Sequence, residues 1–176
     1  MKYWKNGFYD EYQEDSVEIT EEYYNQLLAG QSAGLLIVES KKGCPILAVH
    51  QPSIKEIRAR KLNELRLYDS SEEVNQFCID NTHGWWNKAT RVGLMNSIAI
   101  EKASGRTETN IWLDNTLFVL PVEKAIDMLQ QIELYALMCY NTTQGHINAI
   151  NQLETKEEIE VYNFKTGYPG KLNFIG

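Results

Sequence analysis

One apolar pattern in the C-terminal half constrains the fold more than any other feature of the chain. From Pro121 onward, apolar side chains recur every three or four residues as far as Ile150. This spacing places them on one face of an α-helix of about 30 residues, with Gly145 as the point where the helix would bend. The face comprises Val122, Ile126, Leu129, Ile132, Ala136, Cys139, Thr143, His146 and Ile150.

A tight β-hairpin is predicted directly before this helix. Residues 109–113 and 116–120 are strand-like runs, and the Asp114-Asn115 pair between them is typical of a two-residue turn. The second half of the chain is therefore expected to be rich in helix, with one β-hairpin and one long helix.

The segments around the hairpin have weaker patterns. Residues 74–79 alternate loosely and predict a strand, and residues 80–84 have the composition of a turn. Residues 86–103 carry apolar side chains on two faces, which predicts a largely buried helix. A short helix is expected from Thr155, followed by an irregular tail from Gly167.

The first 50 residues predict a small hairpin–helix–hairpin module. An Asn-Gly pair between aromatic residues predicts an N-terminal hairpin. Thr20 can cap a helix over about residues 21–29, and Gly30 is expected to end that helix. Two apolar runs follow, separated by a Ser-Lys-Lys-Gly turn, and predict a second hairpin.

A polar stretch joins this module to the rest of the chain. Pro52 ends the module, and residues 53–68 carry a thin apolar stripe among charged side chains, which is typical of an exposed helix. The sequence therefore predicts an α+β protein with three parts. These are a small α+β module at 1–50, a connecting helix at 51–70 and an α+β domain at 71–176.

Charge and cysteine content disfavour several classes of function. The net charge of −7 opposes binding to nucleic acid, which requires clustered Lys and Arg. Cys44, Cys78 and Cys139 are widely spaced and form no C-x-x-C pair, so we expect reduced thiols, no metal site and no cofactor. Because no apolar segment suits a signal peptide or a membrane span, the cytoplasm, or a particle assembled there, is the expected location.

The arrangement that most suggests catalysis is Cys78 with His83. The two residues bracket a turn, and a thiolate–imidazole pair there would make a small cysteine-dependent hydrolase. Neither the glycine-serine elbow of serine hydrolases nor a phosphate-binding P-loop occurs in the sequence. We therefore expect no catalytic residue, and the hydrolase remains an alternative. A bacterial interaction domain that merely shares the hairpin–helix–hairpin shape is another.

Four short motifs in the first module carry a resemblance to a known family. They are Gly7-Phe8-Tyr9, Ile19-Thr20-Glu21-Glu22-Tyr23-Tyr24, Leu27-Leu28-Ala29-Gly30-Gln31 and Gly43-Cys44-Pro45-Ile46-Leu47. Together they resemble the small N-terminal module of the tail fibre assembly proteins of tailed phages. The resemblance implies a phage or prophage setting. In that family the assembly factor binds the fibre and promotes its folding or oligomerisation.

The rest of the chain carries a second resemblance. Its motifs are Trp86 ahead of Arg91, the hairpin with Trp112, Asp114 and Asn115, the long helix with Tyr135 and His146, and Gly167-Tyr168-Pro169. These are similar to a C-terminal domain of unknown function found in phage tail and prophage proteins. Typical assembly factors lack such a domain, so the resemblance implies a tail protein rather than an assembly chaperone alone.

Aromatic side chains are the expected means of contact with a partner. A small hairpin module leaves one face uncovered, and two adjacent indoles cannot easily face the same core. The predicted partner-binding residues are Tyr3, Trp4, Phe8, Tyr9, Tyr12, Trp85 and Trp86. The expected partner is a phage tail fibre or another tail protein, with a second copy of the chain as the alternative.

Overall fold

The computed structural model describes residues 1–175, and the chain divides into two compact units, Met1–Ser53 and Ile54–Gly176. Both contain helices and strands, so the predicted α+β class is confirmed. The first unit contains β1 (Lys2–Trp4), β2 (Phe8–Tyr9), β3 (Val17–Ile19), α1 (Glu21–Ser32), β4 (Leu36–Glu39) and β5 (Pro45–Ala48). The second contains α2 (Ile54–Asp69), β6 (Phe77–Ile79), β7 (Thr82–Gly84), α3 (Lys88–Ala103), β8 (Glu108–Leu113), β9 (Thr116–Pro121), α4 (Val122–Gln152), α5 (Lys156–Val161) and β10 (Leu172–Phe174).

The first unit is built from two small antiparallel sheets and one helix. Strand β1 pairs with β2, as the Asn-Gly turn predicts, and also with β3, which the sequence pattern does not reveal. Strands β4 and β5 form the second hairpin, and α1 contacts both of them. Trp4, Ile19 and Leu27 are the buried apolar residues of β1, β3 and α1.

Gly30 does not end α1, contrary to the expectation from sequence. The helix continues to Ser32, and the left-handed residue that follows it is Gly34, with φ +93°. Gly30 lies instead where the hairpin approaches the helix, because a Cβ atom at this position would lie 2.3 Å from Leu47 Cδ1. Its missing side chain therefore permits close packing of β5 against α1.

The second unit contains a three-stranded sheet with strand order β10-β6-β7 and the separate hairpin β8–β9. Asp80 and Asn81 both have positive φ and form the tight turn between β6 and β7. Residues 80–84 are therefore part of a second hairpin rather than a turn alone. The tail after Gly167 is not wholly irregular, since β10 pairs in parallel with β6.

The long helix α4 spans 31 residues without a break at Gly145 and lies against three buried clusters. Leu129 and Ile132 pack with the inner face of β8–β9. Tyr135 packs beside Val74, and Ile150 packs with residues of α2 and α5. The predicted apolar face of this helix is therefore largely the face that the structure buries.

Helix α3 buries only one of the two faces that its apolar residues predict, the one that carries Leu94 and Ile98. Val92 and Ile100 are exposed, whereas Arg91 and Ile98 are buried. Arg91 lies on the same buried side as Ile98, where it forms an ion pair with Glu133 of α4. The expectation of a helix buried on two faces is therefore wrong.

Helix α2 is part of the second unit and not an exposed connector. Ile57 and Leu65 are buried in a cluster with Ile150 and Ile159. Arg58 Nη2 also donates to the carbonyl of Leu153 at 2.6 Å. The prediction that residues 51–70 form a connecting helix is therefore corrected. The thin apolar stripe of this helix is wide enough to pack against α4 and α5.

This placement of α2 can be tested with two leucines on the same helix. We expect Leu65→Ala to lower the free energy of unfolding by about 2–5 kcal/mol, because the side chain is fully buried. Leu67→Ala is the matched control and should change it by less than about 0.5 kcal/mol, since Leu67 is exposed. Chemical denaturation followed by circular dichroism provides the measurement. Equal effects of the two substitutions would contradict the placement.

Helix α5 begins with a capping box that makes its stability depend on pH. The hydroxyl of Thr155 accepts from the backbone N–H of Glu158, and the Thr155 backbone N–H donates to Glu158 Oε2. Hydrogen bonds from the Thr155 side chain and backbone lower the pKa of Glu158 below its usual 4.5. A carboxylate with a lowered pKa stabilises the folded state above its unfolded pKa, and this stabilisation is lost as the pH falls through the folded value.

We therefore expect α5 to fray as the pH falls below the usual pKa of Glu158, as measured by amide chemical shifts of Thr155 and Ile159. Glu158→Gln should remove this pH dependence, because a glutamine can form the same capping box without titrating. Glu157→Gln, at the adjacent first-turn position, is the control and should preserve it. If the Glu157 variant lost the pH response, Glu157 and not Glu158 would be the group responsible, which would contradict the prediction.

Candidate functional site

The aromatic residues predicted to bind a partner in the first unit mostly contact one another. The rings of Trp4 and Phe8 have centroids 4.9 Å apart, and those of Tyr3 and Tyr12 are 5.8 Å apart. Trp4 is buried, Tyr3 and Phe8 are half-buried, and Tyr9 and Tyr12 are exposed. We therefore assign Trp4 to the core, and only Tyr9 and Tyr12 present an exposed ring.

The adjacent tryptophans of the second unit occupy different environments. Trp86 is buried against Phe77, and its indole N–H donates to the carbonyl of Trp112 at 3.1 Å. This leaves no ring face for a partner, so Trp86 is assigned to the core. Trp85 is half-buried, packs edge-on against Tyr135 and lies under the guanidinium of Arg91 at 5.1 Å.

Arg91 is the residue within 1–175 that combines a formal charge with burial, since only 7% of its surface is exposed. Its Nε donates to Glu133 Oε2 at 2.7 Å, and its Nη1 donates to the carbonyl of Trp86 at 2.7 Å. Together with the Trp85 ring, these contacts hold the guanidinium from three sides. An arginine fixed in this way is pre-organised, because its planar fork retains little freedom.

A cavity of about 370 Å³ opens beside this arginine, between α3 and α4. Its lining residues are Lys88, Arg91, Glu133, Ala136, Leu137 and Tyr140. We call it the Arg91 cavity. The wall of this cavity contains two cationic side chains and one carboxylate, and its other residues are apolar or aromatic. Its volume falls in the range of sites that bind small molecules, about 300–1,000 Å³.

Two smaller cavities also include Arg91 in their walls. One, of about 170 Å³, continues between α3 and α4 past Val92, Met95 and Leu129 and is mainly apolar. The other, of about 290 Å³, lies on the side of Trp85 and contains polar residues such as Asp69 and Asn75. Arg91 therefore lies at the junction of an apolar and a polar recess.

A network of hydrogen bonds lies near these recesses in the second unit. Thr143 donates to Asp69 Oδ1 at 2.6 Å and also shares a hydrogen bond of 2.8 Å with the Tyr168 hydroxyl. Tyr135 donates to the carbonyl of Val74, and burial raises the pKa of Tyr135 well above its usual range. These hydroxyls therefore remain protonated, and their partners are structural.

His146 has a structural role of the kind that its position on the long helix predicts. Its Nε2 lies 2.9 Å from the carbonyl of Thr166, and its Nδ1 lies 2.8 Å from the hydroxyl of Tyr162. Because a carbonyl only accepts, the proton is assigned to Nε2, and Nδ1 accepts from Tyr162. Both ring nitrogens are therefore engaged in hydrogen bonds within the protein.

A second surface lies on the outer face of the β8–β9 hairpin. Trp112 is the register partner of Leu117, and Asn110 is the partner of Val119. Directly opposed residues share a face, so these four form one continuous patch, which we call the hairpin face. Trp112 is 60% exposed and Val119 is 56% exposed.

The hairpin face is absent from the residues predicted to bind a partner, although the sequence contains a signal for it. Strand residues of a half-buried hairpin alternate between apolar and polar. In β9 the outward residues Leu117 and Val119 are apolar as well as the inward residues Phe118 and Leu120. The outer face of this hairpin is therefore an exposed apolar patch.

Cys78 and His83 are brought together in the structure. They are register partners across the β6–β7 hairpin, with Cys78 buried and His83 exposed. Within residues 1–175 no hydrogen bond joins their side chains. Asn173 is the partner of Cys78 on its other side, so the thiol lies in the middle of the row. A thiolate–imidazole–amide relay needs the imidazole in the middle.

The described part of the chain offers no alternative centre for metal chemistry. Residues 1–175 contain no group of three or more His, Cys, Asp or Glu side chains that could hold a metal ion. None of the helices in this range combines the length and the apolar character that a membrane-spanning helix requires.

Comparison of the chain with protein-family models, with curated proteins and with solved structures finds no match.

Thiol reactivity tests the arrangement around Cys78. We expect iodoacetamide at neutral pH to modify Cys44 first, because Cys44 is half-buried whereas Cys78 and Cys139 are buried. Burial also raises the pKa of the Cys139 thiol and so lowers its thiolate fraction. Peptide mass spectrometry would follow each site, and all three should react alike in denaturant. Faster labelling of Cys78 would indicate an activated nucleophile and favour the hydrolase.

Proposed function

We propose that this protein acts by binding other proteins, as an accessory tail component or a tail fibre assembly factor of a phage or prophage. The observation that carries the binding function is the hairpin face. Exposed apolar side chains normally scatter singly over a protein surface. Here an indole, a leucine and a valine are contiguous on a rigid element.

The chemistry of the hairpin face suits a protein partner. Tryptophan is enriched among residues that contribute most to binding, because it has a large ring with few rotatable bonds. The backbone of Trp112 is held in place, because its carbonyl accepts the indole N–H of Trp86. On binding, only the two rotatable bonds of the indole side chain remain to be ordered.

The phage setting rests on the motifs of the first unit. The support for it is the resemblance of these motifs to those of tail fibre assembly proteins, and in the structure they lie on a small sheet, a helix and a hairpin. Tyr9 and Tyr12 add exposed rings to this unit. In this proposal the protein works in the cytoplasm or in the assembled particle, and its partner is a fibre or another tail protein. A second copy of the chain is the competing partner.

The proposal can be tested by co-expression with the fibre protein encoded beside this gene. We expect Trp112→Ala to weaken the complex by tenfold or more, since a central aromatic residue contributes about 2 kcal/mol or more to an interface. Val119→Thr should also weaken it. Val161→Thr is the matched control, because Val161 is 81% exposed and lies outside the hairpin face. Affinity is measured by biolayer interferometry on purified proteins.

Three outcomes would contradict the proposal. One is a gene neighbourhood without tail fibre or baseplate genes, which would remove the phage setting. Another is an equal effect of the Val119 and Val161 substitutions, which would remove the hairpin face as the contact. The third is a self-associated protein whose dimer, measured by sedimentation, is abolished by Trp112→Ala without any effect on fibre binding.

A further inference from the structure

We propose that the Arg91 cavity binds a small monocarboxylate with an apolar body. This site is separate from the hairpin face and does not rest on the proposed function. Its key feature is an arginine that is nine-tenths buried and yet lines an open recess. A buried charge is costly unless it is paired, so the surroundings of this guanidinium decide what the recess can accept.

The guanidinium has a donor to spare. Nε and Nη1 have protein partners, whereas Nη2 forms no hydrogen bond within residues 1–175. Among these residues, the side-chain atom that is sealed from solvent without a partner is Trp4 Nε1 and not Arg91 Nη2. Nη2 therefore keeps some exposure, and its N–H groups have no acceptor within residues 1–175.

A second cation lies in the same wall. Lys88 is the first residue of α3, is exposed, and forms no hydrogen bond or ion pair within the described residues. Lys88 and Arg91 are opposed by one carboxylate, that of Glu133, which is already bound to Arg91 Nε. The cavity therefore has an excess of one positive charge, which matches a monoanion.

The balance of charge also selects between anions. A phosphate ester carries close to two negative charges at neutral pH, and Glu133 in the wall would repel the second charge. A carboxylate has one charge and two acceptor atoms, which suits the free edge of an arginine and a nearby lysine.

The rest of the cavity fits an apolar body. Ala136 and Leu137 form an aliphatic wall, Tyr140 adds an aromatic ring, and the mainly apolar recess continues past Met95. Burial of such a body in this groove removes apolar surface from water. The ligand class is therefore an aryl- or alkyl-carboxylate rather than a bare inorganic anion.

The test uses the full chain and 3-phenylpropanoate as the probe. We expect saturable binding at millimolar concentration or below, measured by calorimetry, with amide shift changes at Lys88, Leu137 and Tyr140 in NMR spectra. The neutral analogue 3-phenylpropan-1-ol should bind at least about tenfold more weakly, because it lacks the charge that pairs with Arg91. The ester 2-phenylethyl phosphate should also bind more weakly than the carboxylate.

Matched variants separate a binding role from a structural one. Lys88→Ala removes an exposed side chain and should weaken 3-phenylpropanoate about fivefold without a change in the melting temperature. Lys102→Ala is the control on the same helix, because Lys102 pairs with Glu123 away from the cavity. Arg91→Lys retains the charge but loses the fork, and should weaken binding about tenfold or more.

Each alternative outcome overturns the assignment. Absence of saturable binding, or equal affinity for the alcohol, would leave Arg91 and Glu133 as an ion pair that only joins α3 to α4. Tighter binding of the phosphate ester would replace the carboxylate class. An equal effect of Lys88→Ala and Lys102→Ala would reduce the interaction to general surface charge. Because Lys88 is exposed, these results do not depend on whether the Arg91 variant folds.

Discussion

The buried face of α4 is the constraint on which the second unit depends. Ile132 meets the hairpin cluster, Tyr135 and Cys139 meet Val74, and Ile150 meets the cluster of α2 and α5. These clusters follow one another along 31 residues of a single helix. A helix is stiff over this distance, so it fixes the spacing of elements that have few contacts with one another. The Arg91 cavity is one product of this spacing, because α4 supplies one of its walls.

Local chemistry made much of this fold predictable from sequence. The turn at Asp114, the capping box at Thr155 and the apolar period of α4 each depend on residues that are close in the chain. The strands β3, β7 and β10 were not predicted, because each is only two or three side chains of pattern and is defined by its partner. Strand β10 pairs in parallel with β6, which lies near the other end of the same unit in sequence. No local period records such a pairing.

The candidate site was harder to predict for a related reason. In the sequence Arg91 is a polar position on a helix with two apolar faces, and Val92 and Ile100 are apolar positions that should be buried. In the structure Val92 and Ile100 are exposed, and Arg91 is buried where Glu133, 42 residues away, pairs with its guanidinium. The apolar period of a helix records only which residues are apolar. It does not predict that a charged residue will be buried when a distant element supplies its ion-pair partner. The connecting role expected for α2 failed similarly, since its sparse stripe is completed by α4 and α5.

Trp85 and Trp86 contact residues of both the Arg91 cavity and the hairpin face. The carbonyl of Trp86 accepts from Arg91 Nη1, and its indole N–H donates to the carbonyl of Trp112. Trp86 therefore connects the arginine of the cavity to the backbone beneath the hairpin face. Trp85 contributes its ring to the guanidinium and its edge to Tyr135. Both indoles contact Phe77, but Trp86 is buried within that cluster, whereas Trp85 packs at its edge beside the charge.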